Sequence, residues 1–390
     1  MFKAVHFGAG NIGKGFIGMV LNESGYSVCF VDVDFESVNE LKKTKKYTLQ
    51  LLDERKTTIE VGHVFAFHAW IEQESVIDSI VNSDMITTSV GVGNLEKIAP
   101  LIAGGLLARI EANKEPIDII ANENMMNATS KLKDEIAKLT DADDFQKIQQ
   151  YTGFANSAID RQALSINVDG QEITTVEPYY EWIINESELI NQNIPRFKDA
   201  VYVRDMSSYI ERKLYIVNAA HAAAAYVGFL MKKSTVQEAL VDEKIFNFVR
   251  GLMYENSRYL AHEYAMPEED LIAFIDKTLE RFKNPYIKDD VTRVGRSPLR
   301  KLGENERIIA PLRKIAERGL PITYGTKLVA AALLYHDDSD NEAILMQQSI
   351  LECGIREMVE KYTSLNDSKV IDVICKNYLE LSKNHTSIYA

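Results

Sequence analysis

The sequence predicts an α/β domain built on a mostly parallel sheet, followed by a mostly α-helical domain. Three observations predict it. Short β-branched runs alternate with helical patterns over the first third of the chain. A glycine-rich turn, Gly8-x-Gly10-x-x-Gly13, follows the first of those runs. Beyond about residue 205 the apolar residues recur with a helical period almost without interruption.

The elements follow in order. "KAVHFGAG" reads as a strand ending in glycines, and "KGFIGMVLNESG" as a helix ending near Gly25. "YSVCFVDVD" is a second strand and "FESVNELKKTKK" a second helix. "SDMITTSVGVG" and "PIDIIANEN" are later strands, with the helical "NLEKIAPLIAGGLLARIEANKE" between them. Strands and helices alternating at this spacing imply right-handed crossovers, a parallel sheet and a Rossmann-type domain. From about 150 to 200 the pattern changes. "SINVDGQEITTVEPYYEWIINE" carries an Asp169-Gly170 turn between strand-like runs and reads as a hairpin. "IPRFKDAVYVRD" reads as a loop leading to a final short strand. Ser208 and Glu211 then have the spacing of a capping box for a helix running through Lys213. The later helical segments are separated mostly by prolines and glycines. No internal repeat or low-complexity linker occurs, and the expected domains are residues 1–200 and 201–390.

Composition sets outer limits. With 390 residues, 46% of them hydrophobic and 26% charged, each domain can bury a core. The formal net charge of -13 excludes a global basic field for nucleic acid, though a local site can still hold a small anion. Three distant cysteines, Cys29, Cys353 and Cys375, argue against a disulfide framework and suit a reducing cytoplasm. No metal-ligand spacing is found among the seven histidines, so no dedicated zinc site is expected. The N-terminus lacks the regions of a signal peptide, and no run is apolar enough for a membrane span. The oligomeric state is not legible.

The glycine turn has the context that gives such a motif meaning: a strand before it, a helix after it, and an acid at the end of the next strand. Its backbone can approach a pyrophosphate, and the helix start supplies N–H groups. Asp32, 19 residues after Gly13, stands where a carboxylate hydrogen-bonds a ribose 2′-hydroxyl and repels a 2′-phosphate. NAD is therefore the expected cofactor, in preference to NADP or FAD. Its expected contacts are Gly8, Gly10, Asn11, Ile12, Gly13 and Asp32, with Asp34 able to share the acid's role. A turn that binds something else remains the alternative. "TTSVGVGN" at 87–94 is the loop after the fourth strand, either beside the nicotinamide or a plain glycine-containing turn.

Hydride transfer between an alcohol and NAD needs a base for the alcohol proton and donors for the developing alkoxide. The segment "KLYIVNAAH" offers both types of group. At about 100° per residue, Asn218 lies about 140° and His221 about 80° from Lys213 around a helix. A lysine, an amide and a histidine then share one arc. Burial and the positive nicotinamide favour a neutral lysine able to take a proton. Taken by itself the helix has a second explanation, in which Lys213 reaches solvent and Asn218 and His221 are satisfied core groups.

"KLYIVNAAH" resembles the KxxxxNxxH signature of the polyol-specific long-chain dehydrogenases and reductases. "AVHFGAGNIGKGFIG", "ANENM" at 121–125, "YEWII" at 180–184 and "RVGRSPLRKLGENERIIAPL" at 293–312 are similar to segments of that family, in order along the chain. The resemblance implies a metal-independent, NAD-dependent interconversion of mannitol 1-phosphate and fructose 6-phosphate. It implies that Lys213 is the general acid/base, that Asn218 and Asn124 stabilise the alkoxide, and that His221 orients a substrate hydroxyl. Glu181 matches the family pattern and is expected near the substrate. Arg293, Arg296, Arg300 and Lys301 lie within nine positions, and arginine's planar fork suits phosphate. Arg293 and Arg296 are the expected phosphate ligands, against the alternative of a solvated basic turn. The methionines after Asn124 depart from the family pattern and bear on loop packing. Two rivals stay open: a hexuronate oxidoreductase of the mannonate or altronate type, and a non-catalytic nucleotide-sensing module.

Overall fold

The computed structural model describes residues 1–168 and 171–389, and every element below is one of the described residues. The chain divides into two compact units, Met1–Ser207 and Ser208–Ala390.

The first unit opens with β1 (Phe2–Phe7), a π turn over Gly13–Gly18 that runs into α1 (Met19–Glu23), β2 (Tyr26–Asp32) and α2 (Phe35–Thr44). A pair of short strands follows, β3 (Tyr47–Leu51) and β4 (Thr58–Val61), and then β5 (Val64–His68), α3 (Gln73–Val81) and β6 (Met85–Thr88). Next come α4 (Leu95–Glu111), β7 (Ile117–Ala121), α5 (Ala128–Ala137), α6 (Ala142–Tyr151) and β8 (Thr152–Phe154). The unit ends with β9 (Ser157–Asp160), β10 (Ala163–Val168), β11 (Gln171–Val176), β12 (Glu181–Asn185) and β13 (Val201–Val203).

Six strands form one all-parallel sheet in the order β5-β2-β1-β6-β7-β8. By chain order within the sheet this is 3-2-1-4-5-6, the doubly wound arrangement that places a ligand crevice where the order reverses, at the carboxyl ends of β1 and β6. Both faces are covered, so the strands are apolar on both sides. Along β1, Ala4 packs with Phe16, Val20 and Phe30 on one face, whereas Val5 and Phe7 pack with Ile86, Ile98 and Ile102 on the other. The parallel sheet expected from the strand–helix alternation is therefore observed.

The hairpin expected around 163–176 is present as the antiparallel pair β10–β11, and the expected Asp169-Gly170 turn lies outside the described residues. Its partners were not legible in the sequence. β11 pairs in parallel with β3, giving a four-stranded sheet β10-β11-β3-β4, and Thr174 and Val176 of β11 pack against Gly15. A third sheet, β13-β12-β9, presents Trp182, which stacks on Phe197 at 4.8 Å.

The second unit is helical throughout. It contains α7 (Ser207–Arg212), a π turn over Lys213–Asn218, α8 (Ala219–Leu230), α9 (Val236–Val241), α10 (Glu243–Tyr264) and α11 (Glu268–Phe282). These are followed by α12 (Val291–Gly295), α13 (Pro298–Lys301), α14 (Ile309–Glu317), α15 (Thr323–Leu333), α16 (Asn341–Thr363) and α17 (Ser368–Lys383). α8 is buried almost all round, as its run of alanines permits, and forms the centre of the core with α10 and α15. The ends carry the expected chemistry: Thr235, Asp242, Asp340 and Asp367 cap the helices that follow them. No helix among the described residues is long and apolar enough to cross a membrane.

One sequence expectation fails here. Ser208 does not cap the helix; it lies inside α7, whose first N–H, on Ser207, bonds Asp205. Glu211 is instead drawn to the ammonium of Lys314 and accepts from the hydroxyl of Tyr215. A half-buried ion pair with a distant lysine takes the carboxylate away from the local cap.

Candidate active site

In the first unit the glycine turn is shaped by close contacts. Gly8 has φ +103°, and a side chain there would stand 2.6 Å from the carbonyl oxygen of Ser89. A Cβ on Gly13 would stand 1.9 Å from the carbonyl oxygen of Gly8. Gly10 differs, with nothing within 4 Å of where a Cβ would be. The outer two glycines thus fold the turn onto the sheet and onto the helix start, while the middle one leaves an open approach to backbone.

Asp32 ends β2 beside this turn. Its Oδ2 accepts the N–H of Ala9, and its Oδ1 accepts those of Val33 (2.7 Å) and Asp34 (2.9 Å). A carboxylate has about four lone-pair positions, so three bonds leave room for one more donor. Asp34 does not share this place; it caps α2 through the N–H of Ser37 at 2.6 Å. The side chain of Asn11 accepts from Ser165 of β10 at 2.6 Å, and Ile12 packs partly into the core.

The loop after β6 is fixed by two residues that sequence reasoning missed. Glu123, 6% exposed, accepts from Thr88 Oγ1 (2.9 Å), Val90 N (3.0 Å) and Gly91 N (2.8 Å). His6 is fully buried in β1 and bonds Thr87 Oγ1 through Nδ1 (2.7 Å) and Ser89 Oγ through Nε2 (2.8 Å). Burial lowers its pKa to about 3, so it is a neutral ring joining β1 to β6. Asn124 follows Glu123 at the carboxyl end of β7 and is exposed. Glu181 is half-buried at the start of β12, opposite Asp160 of β9.

In the second unit Lys213 and Asn218 begin and end the π turn, and His221 lies in the first turn of α8. Hydrogen bonds in a π turn run from residue i to i+5. Residues five apart therefore come to one side of the axis, and the angle of about 140° drawn from α-helical geometry is corrected. The lysine and asparagine are more nearly aligned than the sequence suggested, and both are half-buried.

Both π turns share one construction. A π turn displaces backbone hydrogen bonds and leaves carbonyls without their α-helical donors. The N–H of Ala219 bonds Leu214 and Ile216, passing over Tyr215, whose carbonyl accepts instead from Nδ2 of Asn256 at 2.7 Å. Asn256 is 2% exposed. The N–H of Met19 bonds Phe16, passing over Gly15, whose carbonyl accepts from the buried guanidinium of Arg161 at 2.9 Å. The neighbouring carbonyl of Lys14 accepts from the hydroxyl of Tyr47 at 2.8 Å. A polar side chain distant in sequence holds each turn open.

His221 is clamped twice. Its Nε2 lies 2.7 Å from Oδ2 of Asp289, and its ring stacks on Phe282 with centroids 5.0 Å apart. Asp289 is 1% exposed, and its Oδ1 accepts from Nε of Arg293 at 2.8 Å and from Nη2 of the same guanidinium. Burial opposes ionisation of Asp289, but His221 and Arg293 outweigh it and hold the carboxyl below its ordinary range.

The basic cluster expected at 293–301 is divided by the fold. Arg293 is half-exposed and paired with Asp289, and Arg296 is exposed with no ion pair among the described residues. Arg300 pairs with Glu306 at 3.2 Å. Lys301 is not part of an exposed patch: it is 3% exposed and donates to the carbonyl of Arg296. Burial, with the charges of Arg307, Arg300 and Arg296, lowers its pKa to about 7.

Comparison with known proteins places this geometry in a family. Residues 2–197 match the family model described as mannitol dehydrogenase Rossmann domain, and residues 205–381 match the mannitol dehydrogenase C-terminal domain. The chain is 40% identical over 384 residues to a mannitol-1-phosphate 5-dehydrogenase of Caldanaerobacter subterraneus subsp. tengcongensis, covering 98% of this chain and 99% of that one. It is 39% identical over 375 residues to the mannitol-1-phosphate 5-dehydrogenase of Geobacillus stearothermophilus, covering 96% and 98%. Among solved structures, Pseudomonas fluorescens mannitol 2-dehydrogenase, in a ternary complex with NAD and D-mannitol, has a TM-score of 0.78 at 16% identity, covering 100% of this chain and 93% of that one. A substrate-free D-sorbitol dehydrogenase has a TM-score of 0.84 at 14% identity, covering 99% and 94%. These two structures share the fold. On the strength of the matched domains and the close relatives, the chain belongs to the mannitol dehydrogenase family.

Proposed function

We propose that this chain is an NAD-dependent oxidoreductase that interconverts mannitol 1-phosphate and fructose 6-phosphate. One observation carries the substrate: the match to relatives named mannitol-1-phosphate 5-dehydrogenase runs nearly end to end in both chains. The first unit fits the cofactor, because Gly10 leaves backbone open to a pyrophosphate and Asp32 retains a lone pair for a ribose hydroxyl. Gly8, Gly10, Asn11, Ile12, Gly13 and Asp32 would hold it. When bound, NAD accepts a hydride from the alcohol carbon or returns one to the ketone.

The chain's own residues handle the oxygen at that carbon. Lys213 takes the hydroxyl proton as the carbon is oxidised and gives it back in the reverse direction. Asn218 donates a hydrogen bond to that oxygen as negative charge develops on it, and Asn124 is the further donor that the family resemblance implies. His221 holds a neighbouring hydroxyl, and no metal ion takes part. Arg296 and Arg293 bind the phosphate through charge-assisted hydrogen bonds; Arg296 is favoured, because among the described residues no carboxylate pairs with it, whereas Arg293 is paired with Asp289. Glu181 is the remaining residue that the family resemblance assigns to substrate binding.

The test is a substrate panel. NADH oxidation is followed with fructose 6-phosphate, with fructose, and with a keto-uronate. Rapid oxidation with the phosphorylated ketose is expected. Preference for the keto-uronate would assign a hexuronate oxidoreductase, and NADH binding without turnover on any of them would assign a sensing module.

A further inference from the structure

We infer that Asp289 is a positioning residue that fixes the tautomer of His221, leaving Nδ1 as a hydrogen-bond acceptor reserved for a donating hydroxyl of the substrate. This rests on the proposed role of His221 in substrate binding. No role was assigned to Asp289 above beyond its contacts.

An ionised carboxylate only accepts hydrogen bonds. At 2.7 Å from Oδ2, Nε2 of His221 therefore carries the hydrogen, and in the neutral form of the ring the lone pair lies on Nδ1. The carboxylate is held in the ionised form by geometry. Its other oxygen receives two N–H groups of Arg293, a donor-only side chain that never loses its charge. The backbone of Asp289 is fixed as well: its N–H bonds Oε1 of Gln237 at 3.1 Å, and its carbonyl accepts the N–H of Val236 at 2.9 Å. Phe282 sets the plane of the imidazole and Asp289 sets its edge, so the Nδ1 lone pair has one direction. Such an acceptor binds a hydroxyl that donates, and discriminates against a substrate whose oxygen there is methylated or replaced by fluorine.

The same contacts give a sharp test. In Asp289→Asn the side chain has one acceptor oxygen and one donor nitrogen. Arg293 can only donate, so it takes the oxygen. The amide nitrogen then faces His221 and requires an acceptor at Nε2, which moves the ring hydrogen to Nδ1. The measurement is the ¹⁵N shift pattern of the His221 ring in the alkaline limit of its titration, assigned by loss of the signal in His221→Ala. The expected result is an Nε2–H ring in the parent and an Nδ1–H ring in Asp289→Asn. The variant should also lose about ten- to a hundred-fold in kcat/KM for fructose 6-phosphate, chiefly through KM, with NADH affinity unchanged. An Nδ1–H ring in the parent protein overturns the inference, as does an unchanged tautomer and KM in the variant. If Asp289→Asn does not fold, the parent spectrum alone decides. Failure of the parent to turn over fructose 6-phosphate would strike the proposed function, while the spectrum would still test the tautomer.

Discussion

Replacing Asn256 with leucine should separate the π turn from the chemistry it supports. The substitution keeps the branched shape of the side chain and removes the donor that reaches the carbonyl of Tyr215. The N–H of Ala219, that carbonyl's donor in α geometry, is committed to Leu214 and Ile216. A buried acceptor left without a partner costs about 1–3 kcal/mol, a roughly five- to 150-fold shift in the unfolding equilibrium. The helix can escape this cost in one way, by converting to α geometry so that Ala219 reaches Tyr215. Lys213 and Asn218 would then move back towards the separation of about 140° that α geometry dictates. Either outcome is measurable. Urea denaturation reads the loss of stability, and single-turnover NADH oxidation reads the displacement of Lys213 from Asn218. The expected variant binds NADH normally, unfolds at lower urea and turns over at least about ten-fold more slowly. A variant with unchanged midpoint and unchanged turnover would refute the role of Asn256.

Other expectations follow from the same geometry. Gly13→Ala drives a methyl group into the carbonyl of Gly8 and should abolish NADH binding, read by the quenching of protein fluorescence on titration with NADH. Lys213→Ala should lower turnover by about a hundred- to ten-thousand-fold with NADH binding intact; retained turnover would remove the lysine from the mechanism. Asp32→Ser should relax the preference for NAD over NADP, read as the ratio of the two kcat/KM values, because the carboxylate that repels a 2′-phosphate is gone. His6 has a folded pKa of about 3 against an ordinary 6.5, so the unfolded chain binds the extra proton between those values. Stability contributed by the neutral ring is present above about pH 6.5 and is lost as the pH falls towards 3. His6→Gln should therefore show a shallower acid dependence of stability over that window than the parent protein.

The parallel sheet and the nucleotide turn were legible because both depend on local signals: strand–helix alternation, glycines at fixed offsets, and an acid at the end of the next strand. The helical second half was legible for the same reason. β3 and β4 were not, because they are short strands of mixed polarity: β4 pairs with β3, and β3 pairs with β11, more than a hundred residues away. Ser208 looked like a cap only while Lys314 was out of sight. The π turns were invisible because the side chains that hold them, Asn256, Arg161 and Tyr47, arrive from other elements. Asp289 carried a weak local signal, four residues before Arg293, but its bond to His221 spans 68 positions. Glu123 stood inside a segment that drew attention to its neighbour Asn124. In each case the side chain's partner, not its own neighbourhood in the chain, determined what it does.

The most direct measurement is the fate of the hydride. The protein is incubated with fructose 6-phosphate and NADH deuterated at the transferring position, with and without a strong chelator, and the product is analysed by NMR. Mannitol 1-phosphate with one deuterium at the former ketone carbon, formed at the same rate in both samples, is the predicted result. Absence of that polyol would contradict the proposed reaction, and turnover lost to the chelator would contradict the lysine as the group that handles the proton without a metal.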